Sequence, residues 1–297
     1  MIAQVVEPRG LIRDYIALTK PRILSMLLLT ALCAMFLAAG GVPERSLIAL
    51  VLGGGALAAG GAHALNHYIE RDIDSLMRRT RQRPVASGRV SPRDALWFGI
   101  ALNVIAFVLL TFLVNLLTAS LTLSATLFYV FVYTIALKRS TPQNIVIGGA
   151  AGAVPPLAAW AAVTGSVELP AIYLFAIIFF WTPPHFWALA LLIKDDYASA
   201  GIPMMPVVTS VKETKRQILL YTFILVALTL MFVTTSAVGW LYFAMAAGSG
   251  LAYIYYTWRL YRLPEIAGAK SAYLFSLLYL ALIFVALVAD VYVSFEI

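Results

Sequence analysis

A single cysteine, Cys33, stands in the 297 residues, which excludes a disulfide framework within the chain and any cysteine-based metal centre. It lies inside an apolar run and reads as a core residue. Charge is scarce as well: Asp, Glu, Lys and Arg make up 12% of the sequence, about half their share in a soluble domain. Histidine occurs three times, as His63, His67 and His185. Acids are outnumbered by bases, 14 to 21, for a net charge of +7. Such an excess suits nucleic acid only where it forms a patch, and here the bases are spread over short segments between apolar runs. No nucleic-acid partner is expected.

What the chain has in abundance is hydrophobic surface, at 62% of residues. A helix needs roughly 20 apolar residues to cross about 30 Å of hydrocarbon. Nine runs qualify: Ile23 to Ala39, Leu47 to Ile69, Ala95 to Val114, Leu116 to Leu137, Ile145 to Val163, Pro170 to Ile193, Ile218 to Ala237, Trp240 to Tyr256 and Ser271 to Tyr292. Asn115 and Gly239 mark two tight hairpins. The first run follows a polar stretch of about 20 residues without a small-residue cleavage site and is expected to be retained. The pattern predicts an all-α polytopic membrane protein, one domain over 1–297, with nine transmembrane helices around a central cavity.

With nine spans, 20 of the 21 Lys and Arg residues fall on the side of the amino terminus, and only Arg45 falls opposite. The positive-inside rule makes that side the cytoplasm. A cytoplasmic (inner) membrane location is expected, with segment 1–22 inside and the carboxyl terminus outside. Two cytoplasmic loops, 70–94 and 194–217, are long and carry acid as well as base. They are the expected catalytic loops, with the active site at the cytoplasmic face.

The second span ends in a polar stripe. At about 100° per residue, with Asn66 at zero, Glu70 lies near 40°, His63 near 60°, Asp74 near 80° and His67 near 100°. Asp72, near 240°, points away. Amide and carboxylate groups at four-residue spacing suit a hard divalent cation, and Mg²⁺ characteristically takes one or two carboxylates and fills its shell with water and phosphate oxygens. Arg71, Arg78, Arg79, Arg81, Arg83 and Arg89 follow, and guanidinium groups match phosphate oxygens in bidentate fashion. The arrangement predicts a metal–diphosphate site with Asn66, Glu70 and Asp74 on the metal. Solvated loop charges are the alternative reading, but His63, Asn66 and His67 precede the loop and would be costly against lipid.

A second cluster follows the sixth span: Trp181, Pro183, Pro184, His185, Trp187, then Lys194, Asp195, Asp196 and Tyr197. The paired prolines are expected to disturb the helix. If helix resumes after Pro184, Asp196 lies only about 20° around the axis from His185, so that an imidazole and a carboxylate share one wall.

Together these residues resemble the UbiA-type intramembrane prenyltransferases and, within them, the protohaem IX farnesyltransferases. Asn66, Glu70 and Asp74 match the first acidic motif of that superfamily. The segments Leu18 to Arg22, Arg71 to Asp74 with Met77, Arg79 and Thr80, Leu137 to Arg139 with Asn144 to Gly149, Pro184 to Trp187, and Lys194 to Tyr197 with Gly201 to Val207 carry the haem branch. The resemblance runs from about residue 14 to 210. It implies transfer of a farnesyl group from farnesyl diphosphate to a vinyl group of haem b with addition of water, giving haem O and diphosphate. Mg²⁺ is the implied cofactor, haem is a substrate, and a downstream haem A synthase or oxidase-assembly proteins are possible partners. Asn66, Glu70, Asp74, Lys138 and Asp196 are the implied catalytic groups, with Asp196 a fourth metal ligand. Arg22, Arg71, Arg78, Arg79, Arg83, Tyr133, His63, His67, His185, Lys194 and Asp195 are the implied substrate contacts.

Two departures stand out. The superfamily's second acidic motif places aspartates four apart, whereas Asp195 and Asp196 are adjacent. Its Tyr and Lys, four apart near the end of the fourth span, are here Tyr133 and Lys138, five apart. A prenyltransferase acting on a quinone-type aromatic or a chlorophyll precursor would share the diphosphate chemistry. A transporter would place its binding groups near the midplane, unlike the one-sided charges here.

Overall fold

The structure, a computed structural model, describes residues 8–293. Residues 1–7 of the amino-terminal segment and 294–297 lie outside the described residues. Every regular element among the described residues is helical.

Helix α1 (Pro8–Leu18) is amphipathic rather than spanning. Its Leu11, Ile12 and Ile16 are exposed, while Tyr15 and Leu18 pack with Ala64, Val85, Val90, Ala95 and Phe98. A groove of about 300 Å³ lies beside it, lined by Leu11, Ile12, Tyr15, Ile16, Thr19 and Phe98. Asp14 accepts from Arg89 Nε at 2.9 Å, tying α1 to the first loop. The chain then turns sharply at Lys20, a non-glycine residue in the left-handed region (φ 51°), and Pro21 opens α2 (Pro21–Ala39). Proline fits there because the first helical N–H has no partner to lose.

Helices α3 (Arg45–Ile69) and α4 (Arg71–Leu76) lead into the first loop. Ser91 caps α5 (Pro92–Leu113) by accepting from Asp94 N at 3.1 Å. The α3–α5 contact is close because glycines face each other: a Cβ on Gly61 would meet the Gly99 carbonyl oxygen at 2.7 Å. Small residues bring membrane helices together where no water drives them. Asn115 makes the predicted hairpin, accepting from Thr118 N at 2.8 Å and donating to the Ala161 carbonyl at 3.0 Å. Helix α6 (Leu116–Leu127) continues as a π-helix over Phe128–Leu137.

Helices α7 (Asn144–Thr164) and α8 (Leu169–Leu192) pair. The paired prolines, Pro183 and Pro184, lie inside α8 without breaking it. Short helices α9 (Lys194–Ser199) and α10 (Met205–Val208) then precede α11 (Val211–Met231). The predicted loop 194–217 is thus largely helical: Ser210 caps α11 by accepting from Glu213 N at 3.0 Å, so the helix starts seven residues before its apolar run. Helices α12 (Trp240–Arg262) and α13 (Ala269–Val293) pack as a pair, and α13 also meets α2 and α8. Met35, Leu174, Ile177, Phe232, Tyr279 and Phe284 centre the main core.

Eight of the described helices are long and apolar enough to cross a membrane, one fewer than the predicted nine. The exception is α12. Its 23 residues reach about 34 Å, but its tyrosines, glycines, Ser249, Arg259 and Arg262 lower its hydropathy. Its amino terminus is anchored from α13, where the buried Asp290 carboxylate accepts from Gly239 N and, at 3.0 Å, from Tyr242 N.

Candidate active site

The polar stripe forms where α3 gives way to α4. Glu70 sits at the junction with φ −91° and ψ 8°, but Asp74 N still donates to the Glu70 carbonyl at 2.8 Å. One-turn spacing therefore survives the break, and both carboxylates stay on one side. Glu70 is 1% and Asp74 2% exposed. Buried carboxylates require partners, and two basic side chains, Arg83 and Lys138, supply them. Arg83 Nη1 reaches both Asp74 oxygens at 2.8 Å and lies 3.9 Å from Glu70 Oε2. Lys138 pairs with Glu70 Oε1. Lys20 donates to Asn66 Oδ1 at 2.8 Å, and the Asn66 amide donates to Thr134 Oγ1 at 3.3 Å.

Burial opposes ionisation of Glu70, but the Lys138 and Lys20 ammonium groups outweigh it and hold the carboxyl below its usual range. Burial, reinforced by Arg83, pulls Lys20 down to about 7 against the opposite pull of Glu70. Lys20 is the member of this cluster that the sequence-derived site set lacks. The Lys-Pro junction at the head of a span is the signal that could have found it.

The π-helix delivers Tyr133 and Lys138 together. Lys138 N donates to the Tyr133 carbonyl at 2.9 Å, the i→i+5 bond of a π-turn. The Tyr133 ring stacks on Tyr129 at 5.5 Å and lies against Gly148, where a Cβ would meet it at 2.2 Å.

Of the three histidines, His63 donates from Nδ1 to the Thr19 carbonyl at 2.9 Å and meets Tyr129 edge-on at 5.9 Å. His67 is 2% exposed, and neither of its ring nitrogens has a hydrogen-bond partner among the described residues. His185 faces α13 instead: Nδ1 lies 2.7 Å from Ser276 Oγ, with Trp181 stacked at 4.2 Å and Tyr273 at 4.9 Å.

The wall predicted to join His185 to Asp196 is not formed. The helix stops at Ile193 (φ −124°, ψ 32°), and Asp196, on α9, accepts from the Arg79 backbone N–H at 3.2 Å. Asp196 thus clamps the two loops together. Among the described residues no three His, Cys, Asp or Glu side chains converge, so Asp196 does not join Glu70 and Asp74. Arg71 turns back to the Tyr68 carbonyl at 2.6 Å. Arg22, Arg78, Arg79 and Asp195 are exposed and Lys194 is half-buried; none of them makes a side-chain hydrogen bond among the described residues. Asp72 points away as predicted and pairs with Arg139 at 2.7 Å. That bond holds its carboxyl below the usual range.

Residues 27–288 match the UbiA prenyltransferase family. The chain belongs to that family. The protoheme IX farnesyltransferase of Symbiobacterium thermophilum is 50% identical over 283 residues, covering 94% of each chain. That of Roseiflexus sp. (strain RS-1) is 51% identical over 281 residues, 95% of this chain and 53% of that protein. The chain spans about half the length of this and other such relatives. A digeranylgeranylglyceryl phosphate synthase structure aligns at TM-score 0.79 and 16% identity, over 95% of this chain and 98% of that one. A UbiA homologue from Archaeoglobus fulgidus bound to DMAPP and Mg²⁺ aligns at 0.66 and 19%, over 93% and 99%. At that identity the structures establish a shared fold.

The residues present suit Mg²⁺. Glu70 Oε2 is buried with no hydrogen-bond partner among the described residues, which is costly for a carboxylate oxygen unless something completes its coordination. With Asp74 and the Asn66 carbonyl it gives a hard, all-oxygen set. Such a set leaves the positions that Mg²⁺ fills with phosphate and water.

Proposed function

We propose that this chain transfers the farnesyl group of farnesyl diphosphate to a vinyl group of haem b, with addition of water, giving haem O and diphosphate. The observation that carries the reading is the convergence of Glu70, Asp74, Arg83 and Lys138 in a chain half identical to the Symbiobacterium thermophilum farnesyltransferase over nearly the whole of both.

Glu70, Asp74 and Asn66 would hold the Mg²⁺. Bound there, the ion would neutralise diphosphate charge and so favour departure of the leaving group. Arg83 and Lys138, held in the site by the carboxylates, would neutralise the negative charge that grows on the diphosphate oxygens as the leaving group departs. The C1–O bond of the farnesyl group breaks and the vinyl carbon bonds to C1. The resulting cation, delocalised onto the pyrrole, takes the oxygen of water and a proton leaves. The surrounding apolar helices keep water from the allylic carbon until then. His63, His67 and His185 are the candidates for contact with haem.

Topology follows the charge distribution: nine spans including α12, the amino terminus and the site on the cytoplasmic side of the inner membrane, and the carboxyl terminus outside. A haem A synthase or an oxidase-assembly protein is the natural recipient of so apolar a product.

The test is direct. Purified protein with farnesyl diphosphate, haem b and Mg²⁺ should release pyrophosphate and form a haem heavier by farnesyl plus water. Pyrophosphate release only with a quinone-type acceptor would reject haem as the substrate.

A further inference from the structure

The inference deepens the reading that a prenyl diphosphate binds over Glu70 and Asp74, and rests on it. The charged groups whose fields reach the Lys20 ammonium are Arg83, Lys138, Glu70 and Asp74. With Lys20 itself the set holds three cations and two carboxylates, a net of +1. A prenyl diphosphate brings about three negative charges near neutral pH. One divalent cation then leaves the assembly neutral. A second would leave it doubly positive around carboxylates that are 1% and 2% exposed, and uncompensated charge is strongly disfavoured away from water.

The described residues also offer no ligand set for a second ion. Asp196 is engaged with the Arg79 backbone at 3.2 Å, Asp195 is exposed, and among the described residues no third acid or histidine joins Glu70 and Asp74. A basic side chain is already in place, and the negative charge of a bound diphosphate would favour its ammonium form. The left-handed turn at Lys20, followed by Pro21, directs the side chain inward, where it donates to Asn66 Oδ1 at 2.8 Å. An ammonium has three donors, so two remain for phosphate oxygens.

We propose that the diphosphate is held by one metal ion, and that Lys20 supplies the fixed positive charge that a second metal would otherwise provide. Lys20 is then a substrate-binding residue, and the adjacency of Asp195 and Asp196 is the sequence trace of the exchange.

The test counts metal rather than turnover. The full chain in detergent is titrated with Mn²⁺ and a non-reactive thiolo analogue of farnesyl diphosphate, with bound Mn²⁺ followed by electron paramagnetic resonance. One Mn²⁺ per chain is expected at saturation. Lys20→Met should weaken the analogue about 10- to 100-fold, the range for losing a charged hydrogen bond, and Lys20→Arg should restore most of it. Two Mn²⁺ per chain, or unchanged affinity in Lys20→Met, would overturn the proposal. If Lys20→Met does not yield monodisperse protein, the Mn²⁺ count on the unaltered chain still decides. Failure of the analogue to bind the unaltered chain at all would instead reject the prenyl diphosphate reading.

Discussion

Lys138 and Tyr133 are joined twice: the Lys138 N–H donates to the Tyr133 carbonyl at 2.9 Å, and the Lys138 ammonium lies 5.9 Å from the centre of the Tyr133 ring. In an α-helix residues five apart diverge by about 140°. The π-turn absorbs the additional residue and returns the two side chains to a shared face.

Removing one residue from this segment should therefore be tolerated. Deletion of Ile135, which is 50% exposed, converts the π-turn to α-helix with Tyr133 and Lys138 four apart, and pyrophosphate release should stay within about tenfold of normal. Insertion of one alanine after Ile135 should cost about 100-fold, as misplacement of a catalytic group does. Equal losses from deletion and insertion would show that the π-turn has another purpose.

Asp74→Asn removes the carboxylate charge whose two oxygens both accept from Arg83 Nη1. Turnover should fall about 100- to 1000-fold, the range for losing one preorganised electrostatic partner, while the protein still elutes as a single species in detergent. Chelation by EDTA should silence the unaltered chain, and Mg²⁺ should restore it. Near-normal release by Asp74→Asn would remove Asp74 from the site.

Gly148→Ala places a methyl group 2.2 Å from the Tyr133 ring. Overpacking of this kind costs about 1 to 3 kcal/mol, and the displaced ring should lower turnover as well. Gly53→Ala is the control, since its Cβ would meet nothing within 4 Å. Thermal melting in detergent should separate the two, and coincident melting curves would contradict the packing.

Asp72→Ala breaks an ion pair whose aspartate is 58% exposed. Exposed pairs contribute at most about 1 kcal/mol, so melting and turnover should barely change. A large loss of turnover would place Asp72 in the chemistry.

The stripe from Asn66 to Asp74 was legible because helical periodicity is a local property. The break at Glu70 did not erase it, since the Asp74 to Glu70 backbone bond keeps the pitch. Lys20 is not legible in this way because its place depends on a left-handed turn that brings it to Asn66, 46 residues further along the chain. Unbroken helix would join His185 to Asp196, and the stop at Ile193 parts them. Over 17 residues α12 reads like its neighbours, but its tyrosines, glycines and Ser249 keep it out of the set of helices apolar enough to cross a membrane. No local pattern shows that its start is held by an acid 51 residues away.

That acid bears on how the protein is made. Asp290 is 7% exposed, and its carboxylate is satisfied by the backbone at the start of α12. During synthesis α12 leaves the ribosome before the residue that anchors it, and α13 carries an acid that hydrocarbon rejects until α12 is there to receive it. On the nine-span topology proposed above, the two helices should enter the bilayer as an interdependent hairpin. Lesions at Gly239, Tyr242 or Asp290 should accordingly lower the amount of protein that survives quality control, leaving the turnover of each surviving molecule intact.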